Sequence, residues 1–390
     1  MATPSTAPDV VVVGAGILGL AVARELLARD PDRSVSVLER EDSVGAHQTG
    51  HNSGVLHAGI YYAPGSLKAR LCVEGARELY DYCEARGLPA RRSGKLIVAL
   101  SDAERPRLDE LERRARANGV PGVRRLPGSA IADLEPHVRG VEALHSPATA
   151  VVDFRAIAGA FAEDVRAAGG EVVTGCPVLS VAPDAGGIRV RHAAGESRSS
   201  RAIFCAGGWS DRLAVAAGGD PDPRIVPFRG TWLRLRPERR ELVRALVYPV
   251  PDPGLPFLGV HFTRGTDDEV LVGPTALLAG TNLRSTLAWP GTWRMARRWW
   301  RTGLREGRHA ISRRAMVADA ARYIPGLTTD DVLAGPAGVR AQALGRDGAL
   351  LDDFVVSETQ NALHVRNAPS PAATSSLALA RLIADRAFPT

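Results

Sequence analysis

Val10-Val11-Val12-Val13-Gly14-Ala15-Gly16-Ile17-Leu18-Gly19 decides how the rest of the chain is read. Four consecutive valines suit a strand buried on both faces, as in a parallel sheet. Gly14 permits a turn too tight for a side chain, and Gly16 lets the backbone approach a pyrophosphate. Gly19 lets the following helix pack closely on the sheet. A helix over 21–27 comes next, its positive end facing the phosphates. A second strand over 34–38 leads to Glu39, about 20 residues past the last glycine, where an acid binds a ribose 2′-OH. Together these features predict a bound dinucleotide. An acid at this position also argues against a 2′-phosphate on the ribose.

Outward from this motif, the chain has 390 residues, enough for two intertwined domains. Hydrophobic residues make up 45% and charged residues 24%, as in ordinary globular proteins. No segment reads as a membrane span, and the short N-terminal apolar run lacks the basic leader of a signal peptide. Cys72, Cys83, Cys176 and Cys205 are scattered, without a CxxC or His-Cys cluster. That predicts reduced thiols, no disulfide framework and no metal site, and a cytoplasmic location. The net charge is +6, yet the only lysines are Lys68 and Lys95. An arginine bias of this kind reflects genome composition more than a polyanion footprint, so no nucleic-acid partner is expected.

The pattern along the chain predicts a polar loop over 45–54, a helix over 67–86, a helix over 155–168 and a strand over 171–181. A hairpin at Gly186-Gly187 precedes a buried strand that runs into Ala206-Gly207-Gly208-Trp209. Residues 230–235, 257–263 and 269–272 alternate like sheet strands. Residues 292–323 read as helical, 363–365 as a strand, and 374–387 as a closing helix. Rossmann-like pieces are therefore interrupted by a mostly antiparallel insertion. The expected fold class is α/β, with a Rossmann-like, glutathione-reductase-like dinucleotide-binding domain interleaved with an antiparallel-sheet substrate domain. The dinucleotide-binding domain is expected over 1–85, 150–215 and 335–390, and the substrate domain over 86–149 and 216–334.

His47-Gln48-Thr49-Gly50-His51-Asn52-Ser53-Gly54-Val55-Leu56-His57-Ala58-Gly59-Ile60-Tyr61-Tyr62 resembles the active-site loop of the L-2-hydroxyglutarate oxidases and dehydrogenases. Pro64-Gly65-Ser66-Leu67-Lys68-Ala69, Pro227-Phe228-Arg229-Gly230, residues 248–264, Gly273-Pro274, residues 335–343, Asp352-Asp353-Phe354 and residues 367–375 extend the likeness over nearly the whole chain. These enzymes belong to the D-amino-acid-oxidase-like FAD superfamily. Gly338-Val339-Arg340 with Asn367-Ala368-Pro369-Ser370-Pro371-Ala372-Ala373-Thr374 looks like the closure of such an enzyme at the flavin end. One segment departs: Ala279-Gly280-Thr281-Asn282-Leu283-Arg284 stands where those relatives carry lysine-arginine-glutamate.

The resemblance implies non-covalently bound FAD, held by Gly14, Gly16, Ile17, Leu18, Gly19, Glu39 and Arg40 at the nucleotide. Thr49, Gly50, Asn52 and Ser53 serve from the loop, Val178, Ala206, Gly207 and Trp209 from the second cofactor strand. Pro371, Ala372, Thr374 and Ser375 complete the set at the closing helix, and His51 is expected to order the loop. By the same resemblance Arg340 grips a substrate carboxylate, for which a planar guanidinium fork is well matched. His57 and His261 are the candidate bases, since oxidising an alcohol by hydride transfer also requires loss of the hydroxyl proton. Tyr62 is grouped with them as catalytic, and Tyr61, Lys68 and Arg264 as substrate-binding. The implied activity is oxidation of a small carboxylate, foremost L-2-hydroxyglutarate, with oxygen or a quinone as electron acceptor. Oxidation of another hydroxy acid, an amine or an imino acid stays open, as does a non-catalytic flavoprotein. Finally, residues 294–308 place arginines on one helix face and Met295, Trp299, Trp300 and Leu304 on the other, which suits either peripheral membrane contact or inward packing of the tryptophans.

Overall fold

The four valines alternate between two packed faces of a parallel sheet, which is why none of them reaches solvent. In this computed structural model, which describes residues 4–252, 258–279 and 283–389, Val10–Val13 lies between Val35–Leu38 and Arg201–Phe204, parallel to both. Glu171–Val173 and Ala362–Asn367 extend the sheet on either side, and Val355–Thr359 closes one edge antiparallel. Val10 and Val12 point to one core, shared with the helices Ile17–Arg29, Phe154–Ala167 and Ser376–Ala387 through Leu20, Leu26, Phe161 and Ile383. Val11 and Val13 point to the other, beneath the antiparallel strands Val178–Asp184, Gly187–His192 and Gly195–Ser199. A run buried on both faces needs no polar alternation, and the sequence shows none.

Local chemistry sets the ends of the elements. The Ser66 hydroxyl accepts the Ala69 N–H at the start of Leu67–Arg86, and Gly87 ends that helix in the left-handed region. The strand expected over 171–181 is broken. Gly175 (φ 65°) and Pro177 make a turn between Glu171–Val173 and Val178–Asp184. The helical stretch expected over 292–323 is two helices, Pro290–Ile311 and Arg313–Ala321, with the Ser312 side chain capping the second.

A second, mostly antiparallel sheet has nine strands among the described residues. Its centre runs Arg224–Leu235, Val270–Gly273, His261–Arg264, Leu246–Pro249, Lys95–Ala99, and the long strand Val332–Leu344 pairs with Arg224–Leu235. Leu96, Val98, Val247 and Phe262 face an outer core, whereas Ile97, Ala99 and Tyr248 face inward with Val55, Ala58 and Ile60. This period of two decides which residues of the sheet reach the site. The start of the strand expected over 257–263 lies at Phe257, outside the described residues, as do Gly280, Thr281 and Asn282 of the departing segment.

Candidate active site

Between the two sheets lies a cavity of about 1200 Å³. Gly14, Gly16 and Glu39 wall one end; His57, His261 and Arg340 wall the other. Among the described residues no cluster of His, Cys, Asp and Glu could hold a metal ion.

At the nucleotide end the glycines act through space denied to a side chain. A Cβ at Gly14 (φ 104°) would lie 2.6 Å from the Cys205 carbonyl oxygen, and one at Gly19 would lie 2.0 Å from that of Gly14. Glu39, buried at the end of its strand, accepts the Ala15 N–H at 2.7 Å and the Glu41 N–H at 3.0 Å. The Thr49 hydroxyl accepts the Ile17 N–H at 3.0 Å, seating the polar loop on the start of the fingerprint helix. The Asn52 amide knits that loop, donating to the Gln48 and Thr49 carbonyls while its oxygen accepts the Gly54 N–H. His51 does similar work on the His47 carbonyl. Arg40 lies over the Trp209 ring at 4.2 Å, with the His47 ring edge-on to it at 5.0 Å.

Ile17, Leu18, Thr49, Asn52, Ser53, Val178, Ala206 and Gly207 also reach the wall, as do Pro371, Ala372 and Thr374. Three expected contacts do not. Gly19 and Gly50 serve packing, and Ser375 backs onto Gly75, where a Cβ would lie 2.8 Å from the Ser375 Cα. An open glycine cradle, a buried acid at the strand end and an aromatic-cation stack together fit FAD, with Glu39 for a ribose and the Gly14–Gly16 turn for the pyrophosphate.

At the other end, side chains from four remote segments converge. The His57 N–H donates to Thr374 Oγ1 at 3.1 Å, and its Nε2 lies 3.3 Å from Ser370 Oγ. Its Nδ1 is buried without a partner. Burial, then the charge of Lys95, holds the imidazole well below its usual pKa. His261 Nδ1 lies 2.8 Å from the Gly259 carbonyl oxygen. A carbonyl can only accept, so Nδ1 carries the hydrogen and Nε2 keeps its lone pair. Burial pushes the His261 pKa down to about 3, so the ring is neutral at physiological pH. It stacks on Tyr248 at 4.0 Å. Burial raises the phenols of Tyr61 and Tyr62, and the Tyr61 hydroxyl is buried unpartnered. Arg340, half-buried on its strand opposite Phe228, completes this wall; burial lowers its pKa.

Lys68 is in the wall but ion-paired at 2.8 Å to Asp352, whose side chain is 97% exposed. Arg264 is a correction. It neighbours Thr263 on a strand whose alternate residues face opposite ways, so it points outward, binding Asp268 and the Val243 carbonyl, and does not reach the cavity. On the helix Pro290–Ile311, Met295 packs inward while Trp293, Trp300 and Leu304 are exposed. Among the described residues, no helix is long and apolar enough to cross a membrane.

Sequence reasoning missed Gln48, Ser370, Tyr248 and Lys95. The Gln48 side chain accepts the Ala341 N–H at 2.9 Å, and a Cβ at Gly338 would lie 2.3 Å from the His51 carbonyl oxygen. The cofactor loop is thus fastened to the arginine strand. Gln48, inside the quoted loop motif, carried a signal; Tyr248 and Lys95 are ordinary strand residues until their neighbours are known.

Residues 9–386 match the family model of the DAO FAD-dependent oxidoreductases. The L-2-hydroxyglutarate dehydrogenase, mitochondrial, of Homo sapiens is 45% identical over 97% of this chain and 88% of its own length. The L-2-hydroxyglutarate dehydrogenase of Indibacter alkaliphilus is 41% identical over 97% and 98%. In fold, the chain is similar to the dithionite-reduced, FAD-bound L-α-glycerophosphate oxidase of Mycoplasma pneumoniae (TM-score 0.78, 22% identity, 98% and 95% covered). It is also similar to the glycine oxidase of Geobacillus kaustophilus (TM-score 0.71, 17% identity, 98% and 94% covered). The cytoplasmic placement is corrected by these findings, since the animal relatives, Nematostella vectensis and Caenorhabditis elegans among them, are named mitochondrial. Scattered free thiols exclude a disulfide framework but do not identify a compartment. The chain belongs to the DAO family of FAD-dependent oxidoreductases, and FAD is its cofactor.

Proposed function

We propose that this chain oxidises L-2-hydroxyglutarate to 2-oxoglutarate. The observation that carries this reading is the meeting of a half-buried arginine and two imidazoles of depressed pKa on one cavity wall. Arg340 pairs with the C1 carboxylate through its two-pronged fork. His261, with Nδ1–H committed to Gly259, takes the substrate hydroxyl proton at Nε2. When bound, FAD supplies the acceptor for the hydride leaving C2. Lys68 meets the distal carboxylate, which replaces the exposed Asp352 as its partner. His57 and Tyr62, joined through Ser370, hold the closing loop against the substrate. Electrons then pass to oxygen or a quinone. The identity to L-2-hydroxyglutarate dehydrogenases over nearly the full chain supports this substrate. The cofactor unit expected over 1–85, 150–215 and 335–390 is drawn in this reading as 1–85, 150–215 and 345–390, because the strand Val332–Leu344 pairs with Arg224–Leu235 in the second sheet, and the remainder is the substrate unit.

Anaerobic mixing of the FAD-loaded protein with L-2-hydroxyglutarate, L-lactate and glycine tests this. Flavin bleaching is expected to be fastest with L-2-hydroxyglutarate, because lactate and glycine leave the distal cation unmatched. Bleaching by glycine alone would move the protein to amine oxidation.

A further inference from the structure

Lys95 is 1% exposed, and among the described residues it has no ion-pair partner. It begins the strand Lys95–Ala99 and shares the inward face with Ile97 and Ala99. Its Nζ lies 4.0 Å from the centre of the Tyr248 ring and 5.2 Å from that of Tyr61. Both rings line the cavity, and Tyr248 stacks on His261. An ammonium buried against two ring faces gains some cation–π attraction, but that does not replace a counter-ion.

The groups around it supply no negative charge. Burial raises the Tyr61 phenol, and pushes those of Tyr248 and the Cys72 thiol up to about 12, so all three stay neutral. His57 and His261 are neutral because their pKa values are depressed. Lys68 and Arg340 are the other cations at this wall. The nearby carboxylate, Asp352, is bound to Lys68. Glu306 acts on Arg340, so among the described residues neither carboxylate offsets the charge of Lys95.

We propose that Lys95 is a proton-coupled counter-charge for an anionic substrate: it gains a proton when a dicarboxylate enters the cavity, supplying positive charge behind Tyr61 and Tyr248 only in the complex. Lys95 does not touch the cavity, so it is a positioning residue, acting through the two tyrosines and the His261 ring. The proposal rests on the reading that this cavity takes a dicarboxylate. Burial brings the Lys95 pKa down to about 7. At pH 8 roughly nine in ten free molecules then carry a neutral amine, and a bound dianion raises the pKa and draws a proton in. Below about pH 6 the amine is already charged, so uptake vanishes. His57 and His261 stay neutral at pH 8 and contribute nothing there.

The test is calorimetric titration of the FAD-loaded protein with 2-oxoglutarate at pH 8, in buffers of different ionisation enthalpy. This dicarboxylate has no C2 hydrogen to give, so the flavin stays oxidised. Wild type is expected to take up nearly one proton per site, and its affinity to fall about tenfold per pH unit above the Lys95 pKa. Lys95→Arg, charged at every pH, should bind within a few-fold of wild type with no uptake, because the charge is already present. Lys95→Met should also show no uptake and bind about tenfold or more weaker, with KM rising more than kcat falls. If the methionine variant does not fold, wild type and Lys95→Arg still decide. Binding by wild type without proton uptake, or uptake that persists in Lys95→Arg, overturns the role of Lys95 and leaves the substrate reading standing. Failure of wild type to bind the dicarboxylate overturns both.

Discussion

The two ends of the cavity are built by opposite means. The nucleotide end is steric and local: Gly14, Gly16 and Gly19 lie within one turn and act through the absence of side chains. The substrate end is electrostatic and remote: His57, Lys95, His261 and Arg340 come from four segments, and burial lowers the pKa of each. The first is expected to fail on added atoms, and the second to respond to protons.

The steepest test of this contrast is Gly19→Val. A branched side chain where even a Cβ would lie 2.0 Å from the Gly14 carbonyl oxygen should separate helix from strand. No FAD-loaded protein is expected, measured as flavin absorbance of the purified chain. Full flavin content would erase the steric half of the comparison.

His261→Phe keeps the ring that stacks on Tyr248 and removes the lone pair. Flavin content should be unchanged, while kcat falls by about 10²–10⁴-fold, the range for a general base. The pH behaviour sharpens this. With a pKa near 3 in the fold, His261 remains a base through the mildly acidic range, so its protonation puts no limb on kcat/KM above about pH 4. Its depressed pKa also costs stability in acid. The unfolded imidazole binds a proton below about pH 6.5 while the folded one does not, so Tm should decline as pH drops from there toward 3. His261→Phe should flatten that decline.

Arg340→Lys replaces a fork with a point charge. A loss of about 1.5–3 kcal/mol, roughly ten- to two-hundred-fold in kcat/KM, is expected from the hydrogen bonds to a charged group. A value within about twofold of wild type would remove Arg340 from the substrate wall. Asp352→Asn is the mildest. It frees Lys68 from a pair whose acid is almost fully exposed, so KM for a dicarboxylate should shift by no more than about fivefold, downward if Asp352 competes with the substrate.

The same contrast explains what could be read before the structure. Four valines, three glycines and a terminal acid announce their partners by spacing, and the parallel sheet follows from them. Leu67–Arg86 was legible because Ser66 and Gly87 mark both ends. The break at Gly175 and Pro177 was written in residues that favour turns, but the apolar run around them masked it. Arg264 went astray because a strand shows its faces only once one residue is anchored; with His261 inward, the arginine three positions on must point out. Lys95 reads as the polar first residue of Lys-Leu-Ile-Val-Ala. Its importance lies in Tyr61 and Tyr248, which no local pattern joins to it.

The fastening of the loop at Gln48 and His51 to the strand at Ala341 and Gly338 bears on protein engineering. A designer wishing to exchange substrate preference would cut at the boundary between the two sheets and graft a new roof. That seam does not exist here. Residues of the 47–54 loop line the cavity on one side and brace the Arg340 strand on the other. A transplanted roof would have to travel with its own loop, or be redesigned to accept the glutamine amide and the crowded His51 backbone.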